Sequence, residues 1–378
     1  MRTVKLLLCA LCMLLTSGCV SIYSNYRDVG ELHLIQALGF DSSGEGVRLT
    51  IDSGRSGESS STVMSIGGAS VTDAIGRMQM FSVHEDMNYA HAGYAVIGSA
   101  LAEDDLELCL DFFLRSVQIR MDVGLMVLHG GEAGELITLS AGEGSSASEM
   151  LSSIDRVASR EGTSHVFTYQ ETMRALVERG AALMCAIETE DTEGVVFSDS
   201  GEKAAVARGY AVVVGTRVES WLLGEDARGV DLLLGLGGGG TTVVTAGALT
   251  ATVGLRSEGC SIEPVWSPDG HLEAIEVKSR LNCSVPELPG GGAIGPEMAA
   301  EIERAVEKKA EHWLRETLAL PAKYGADCLG LDGYVRRASP EEFAAVEDNW
   351  AGELSGAEMR VSVSAGIDRD YDMRSGSD

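Results

Sequence analysis

Apolar positions along this chain recur at two periods, two residues and three to four, in short interleaved segments, which predicts strands and helices mixed throughout. In the first half the alternating pattern predicts strands over residues 33–40, 47–52, 62–66, 89–97 and 123–128, the first two joined by a Ser-Ser-Gly-Glu-Gly turn. Helical spacing predicts a short lead-in over 26–32. Ser70 opens a further helix as its cap, with Asp73 at the third position and Val71, Ile75 and Met78 on one face. Residues 104–114 form another, with Leu106, Leu110 and Phe113 on one side, and helices over 147–158 and 169–178 follow. The second half is richer in strands, predicted over 182–187, 209–218, 229–234, 242–250 and 252–256. A hairpin of 262–266 and 271–277 turns at Ser267-Pro268-Asp269-Gly270. A Gly/Pro-rich joint, 286–296, precedes the longest helix, 297–318, whose Ile302, Val306, Lys309 and Trp313 mark one face. A helix over 340–347 and an alternating strand over 359–367 close the chain before a frayed tail.

The first residues follow neither period. Arg2 and Lys5 precede an uncharged apolar run, 6–15, and then Thr16, Ser17, Gly18 and Cys19. The run is too short to span a bilayer, which takes about 20 apolar residues. Its order is that of a secretory signal ending at residue 18. A cysteine at the first position after the cut distinguishes a lipoprotein signal from an ordinary one, so Cys19 is the predicted lipidation site. An ordinary secretory signal with an incidental cysteine is the alternative. The −3 position is Thr16, where leucine is commoner. No later run is long enough to cross a membrane.

At 378 residues with 45% apolar content, the chain can bury a sizeable folded core and is long enough for two or three domains. Without Arg2 and Lys5 it carries 27 basic against 57 acidic residues, a charge of about −30. That balance excludes nucleic acid as a partner and excludes adhesion to anionic lipid through basic patches, which leaves anchoring to acyl chains. With Cys19 lipidated, Cys109, Cys185, Cys260, Cys283 and Cys328 remain, in no zinc-ligand or redox spacing. Two readings of them stand: buried free thiols, or one disulfide between Cys260 and Cys283.

The residues that carry catalysis in other proteins are absent as patterns. None of the seven histidines makes H-E-x-x-H, and neither a G-x-S-x-G elbow, a P-loop nor a calcium loop occurs. Residues 235–240 satisfy G-x-G-x-x-G, yet a strand is predicted after them where a dinucleotide site needs a helix, so a plain loop is expected. Pairs such as Asp104 with Asp105 and Glu347 with Asp348 read as solvated helix faces. The methionines between Met78 and Met87 read as core filler. No catalytic, cofactor or metal residue is assigned.

Five segments in order resemble one family, the C-subunit lipoproteins of bacterial spore germination receptors, the Ger(x)C family. Arg27-Asp28-Val29-Gly30-Glu31-Leu32 and Ala37-Leu38-Gly39-Phe40-Asp41 resemble its opening, although the usual tryptophan beside the lipidated cysteine is missing. Thr72-Asp73-Ala74 and His91-Ala92-Gly93-Tyr94-Ala95-Val96-Ile97-Gly98 resemble the central signature, as does the continuation through Asp111-Phe112-Phe113-Leu114-Arg115 to Arg120. Gly209-Tyr210-Ala211-Val212, Trp221-Leu222-Leu223 and Arg228-Gly229-Val230 resemble the start of the C-terminal half, and residues 324–331 with Trp350 its end.

The resemblance implies an α+β protein of mixed sheets with flanking helices in about three subdomains. Between a signal over 1–18 and a tail over 369–378, these are an N-terminal region over 19–195, a β-rich middle over 200–285 and a helix-plus-strand region over 296–368. It further implies a non-catalytic subunit on the outer face of the inner spore membrane, with two polytopic membrane subunits as partners. Neither a ligand site nor direct germinant contact is implied. Asp73, Arg115, Arg120 and Trp221 match family positions, and helix capping and packing explain them equally well. For Arg115 and Arg120, buried ion pairs within the fold and partner contacts stand as equal readings. Two other classes remain open. A solute-binding lipoprotein of a transporter requires two similar lobes around a cleft, and an envelope hydrolase requires a nucleophile–base pair.

Overall fold

The structure, a computed structural model, describes residues 32–44, 46–53, 62–81, 86–142, 146–191, 203–236, 239–247, 249–288 and 294–367. Cys19, the signal, residues 26–31 of the predicted lead-in and the tail from 368 lie outside the described residues. Leu32 opens a short strand, β1 (Leu32–Leu34), which later pairs in parallel with β5 (Asp86–Asn88).

The first half is built on one eight-stranded sheet. Strands β2 (Ala37–Ser43), β3 (Gly46–Asp52) and β4 (Val63–Gly68) form an antiparallel meander at one end of it. In the middle, β2, β6 (Tyr94–Ile97), β7 (Gly124–Leu128) and β8 (Ala181–Asp191) run parallel. The antiparallel β9 (Lys203–Val214) and β10 (Arg217–Leu223) complete the other end. Parallel strands need crossovers that cover both faces, which is why β7 is buried along its whole length and reads Gly-Leu-Met-Val-Leu.

On one face lie α1 (Val71–Phe81), α2 (Ser99–Asp104) and α3 (Glu107–Arg115), whose Phe113 stands 5.7 Å from the Phe40 ring and stacks at 5.0 Å on Tyr169. On the other face α4 (Ala133–Gly142) and α5 (Ala147–Glu161) cover Ala37, Val96, Met126 and Ile187. α6 (Tyr169–Arg179) leads into β8. The helix starts are written locally. Ser146 with Glu149 and Thr168 with Glu171 are reciprocal capping boxes for α5 and α6, and both helices end on a left-handed glycine, Gly162 and Gly180. Ser70 caps α1 through the Asp73 amide on its hydroxyl, while the Asp73 carboxylate reaches one residue further back, to the Ala69 amide.

The second half follows β10 with α7 (Arg228–Leu234) and a four-stranded sheet, β11 (Thr241–Ala246), β12 (Leu249–Trp266), β13 (Leu272–Glu287) and, parallel to β13, β14 (Glu358–Ile367). α8 (Pro296–Leu318) packs across this sheet, starting on a proline at its first turn and burying Ile302, Val306, Ala310, Trp313 and Leu314. Four short helices, α9 (Leu320–Tyr324), α10 (Leu331–Ala338), α11 (Pro340–Val346) and α12 (Trp350–Gly356), lead into β14. One core joins the halves, because Leu183, Tyr210 and Val212 of the large sheet pack with Val230, Leu233, Val277, Trp313 and Leu318. The protein is α+β with mixed sheets and flanking helices.

Several sequence expectations change. The segment 229–234 is the helix α7, not a strand: a leucine-rich run of this length suits either element, and Gly229 lets it lie against α8. The strand expected over 209–218 is a hairpin, since Gly215 takes φ 62° and turns β9 into β10. Gly247, at φ 60°, likewise breaks the run 242–250 into β11 and the start of β12. Residues 90–93 form a turn, so the strand expected over 89–97 begins at Tyr94. Cys260 and Cys283 are both free. The register sets Cys260 opposite Ser279 and Cys283 opposite Leu255, so the two are not cross-strand neighbours.

Candidate interaction groove

Among the described residues no group of His, Cys, Asp and Glu could hold a metal, and no helix is long and apolar enough to cross a membrane. The signature segments do, however, converge. α1 and α3 lie side by side on the large sheet, and a groove of about 350 Å³ runs between them. Val71, Thr72 and Ile75 form one wall, Leu108, Phe112 and Val117 the other, and Tyr89 lies at the base. Asp111 and Arg115 line it too, joined by an i,i+4 ion pair at 2.8 Å.

Burial pushes the Tyr89 hydroxyl up to about 12, and it donates to the Met87 sulfur, so it is a neutral wall rather than an acid. The bond to Asp111 raises Arg115 further above its already high value, and its charge is permanent. Val117, wholly exposed, stands at the rim, and Leu114, Met121, Met80 and Phe81 are exposed apolar side chains on the same two helices or just after them. Of these exposed apolar side chains Val117 lines the groove itself, together with the exposed Leu108. The chain enters the fold beside it: Leu32 pairs with Asp86, three residues before Tyr89, or about 10 Å along an extended strand.

Arg115 and Arg120 make ion pairs, with Asp111 and Asp122, but these are exposed rather than buried. Asp73 acts as a cap and Trp221 packs beside the His129 ring at 4.6 Å, and neither lines the groove. The other signature segments are structural. Asp41 is buried and accepts the amides of Ala133 and Gly134, capping α4, while a Cβ on Gly98 would stand 2.1 Å from its carboxylate. Arg228 donates to the carbonyls of Gly239 and Thr241 and lies over Trp313. The loop 235–240 therefore follows a helix, and its described part is tied down by Arg228 rather than shaped for a phosphate. Asp327 accepts from the amides of Leu331 and Asp332 and from the Trp350 indole at 2.9 Å, which accounts for the Ala-Asp-x-x-Gly segment and the distant tryptophan together.

The fold is a mixed-sheet α+β one with an exposed groove lined by residues of two signature segments, and sequence comparison gives the family. A model described as the spore germination protein N-terminal domain matches residues 25–189, and one described as spore germination B3/GerAC like, C-terminal, matches 208–370. The chain belongs to this family of spore germination proteins. Among solved structures, the crystal structure of the GerBC protein shares the fold, with a TM-score of 0.55 over 87% of this chain and 96% of that one at 15% identity. No curated protein matches.

Proposed function

We propose that the chain is the lipid-anchored, non-catalytic C subunit of a nutrient germinant receptor, which assembles with two polytopic membrane subunits on the outer face of the membrane. The observation that carries this reading is the family membership of both halves of the chain, behind a lipoprotein-type signal. The α1–α3 groove is the contact surface in this reading, because it is apolar, exposed and beside the entry of the chain.

Two acyl chains on Cys19 hold a protein stably where one is marginal, at about 0.8 kcal/mol per buried CH₂. Confinement to the membrane raises the effective concentration toward membrane partners without any new contact. Metabolic labelling with palmitate tests the anchor. The parent chain incorporates label and Cys19→Ala does not; a parent chain that stays unlabelled contradicts it.

A further inference from the structure

A second cavity, of about 130 Å³, lies where α6 and β8 meet the C-terminal half. Its walls are apolar on several sides, with Phe167, Ala175, Leu183, Leu234 and Leu329. Its charged lining sets two arginines, Arg174 and Arg179, against one acid, Glu171, although the chain as a whole carries −28. Arg174 makes no hydrogen bond or close ion pair among the described residues, and its charge acts on the neighbouring Glu171 carboxylate. Arg179 is half engaged: its Nη1 lies 3.5 Å from Asp332 and 3.9 Å from Glu178, while its buried Nε has no partner. Thr172 is 1% exposed, and its hydroxyl has no partner either.

Buried polar atoms in native proteins are satisfied as a rule, so unpartnered donors at one cavity call for an acceptor. The acidic group in the lining, Glu171, is already committed, since its carboxylate accepts from the amide and hydroxyl of Thr168 at 2.9 and 2.8 Å. The cavity is held in shape from both sides. α6 is fixed by its capping box, and the opposite loop, 325–330, by the three bonds to Asp327 and by Gly330, whose left-handed backbone lies against the Arg179 guanidinium.

We infer that this cavity binds a small carboxylate carrying a short apolar chain, with its oxygens toward Arg179, Arg174 and the Thr172 hydroxyl and its carbon chain against Leu183, Leu234 and Leu329. A guanidinium pairs with a carboxylate through two parallel bonds, and apolar walls select a carbon chain over a bare oxyanion. The site is independent of the anchor and the α1–α3 groove. It bridges the two halves of the chain, so occupancy adds contacts between them.

The test is a titration of the unlipidated chain with propionate at constant ionic strength, followed by thermal unfolding, with formate and inorganic phosphate as companions. Propionate raises the midpoint saturably, formate and phosphate at least tenfold less effectively. Arg174→Gln, an exposed position that leaves the fold intact, weakens propionate at least tenfold, and Thr172→Val weakens it as well. Arg48→Gln, an exposed position on β3 four strands away from β8 in the large sheet, changes nothing. A midpoint that does not saturate, an effect unchanged in both Arg174→Gln and Thr172→Val, or phosphate acting as well as propionate each overturns the inference.

Discussion

Asp231 is the residue in this fold whose charge state most directly opposes its position. It is buried, accepts from the Tyr210 hydroxyl at 2.8 Å through one oxygen, and leaves the other without a partner. Burial pushes its carboxyl up to about 6, against the bond from Tyr210 and the charge of Arg228. An acid held above its unfolded value binds its proton more tightly in the native state, so its contribution to stability is present at low pH and is lost as pH rises through about 6. Urea unfolding between pH 4 and 7 checks this: the parent chain loses stability over that interval, and Asp231→Asn flattens the decline. Burial raises the Asp327 carboxyl as well, but here three donors converge on it. Asp327→Ala strands those donors and destabilises by about 3–5 kcal/mol, whereas Trp350→Phe removes one bond and costs about 1–2 kcal/mol, both read from urea midpoints.

At the scale of elements, α7 and α8 approach so closely that a Cβ on Gly229 would stand 2.2 Å from both the Thr317 hydroxyl and the Trp313 carbonyl. Gly229→Ala therefore drives the helices apart and destabilises by about 1–3 kcal/mol in the same unfolding assay. The edge of the smaller sheet is guarded by the same helix. Glu307 accepts the Ala365 amide and Glu303 the Ile367 amide, each at 3.0 Å, and Arg315 reaches the Val361 carbonyl. Open strand edges pair with other chains, so Glu303→Ala combined with Glu307→Ala produces concentration-dependent self-association in light scattering that the parent chain lacks.

Elements with local punctuation were legible in the sequence. The Ser70–Asp73 cap and the Ser267–Gly270 turn stand where the residues place them, and the helix expected from 297 opens one residue earlier, on Pro296. Periodicity cannot type a segment as short as 229–234, and α4 escapes it because a few apolar positions such as Leu136 and Ile137 among glycines give little pattern. The groove and the carboxylate cavity were out of reach for a different reason: Thr72, Tyr89 and Phe112, like Thr172 and Leu329, meet only through tertiary packing.

For the whole molecule, the proposed function is that of a tethered body acting by contact. Without Arg2 and Lys5 it carries 27 basic against 57 acidic residues, a charge of about −30, so such association depends on positive segments of the partners and weakens as salt rises, because exposed charges are screened beyond about 8 Å at physiological ionic strength. The proposed contact surface is separable from the proposed anchor: Val117→Glu, at a wholly exposed rim position, leaves folding and palmitate labelling unchanged. Co-purification from detergent-solubilised membranes, comparing the parent chain with Val117→Glu and Cys19→Ala, tests the central claim most directly. The parent chain brings down two polytopic receptor subunits, Val117→Glu recovers them at least tenfold less well, and Cys19→Ala is lost from the membrane fraction. Recovery of a permease and an ATPase with the parent chain in place of those subunits would contradict the account.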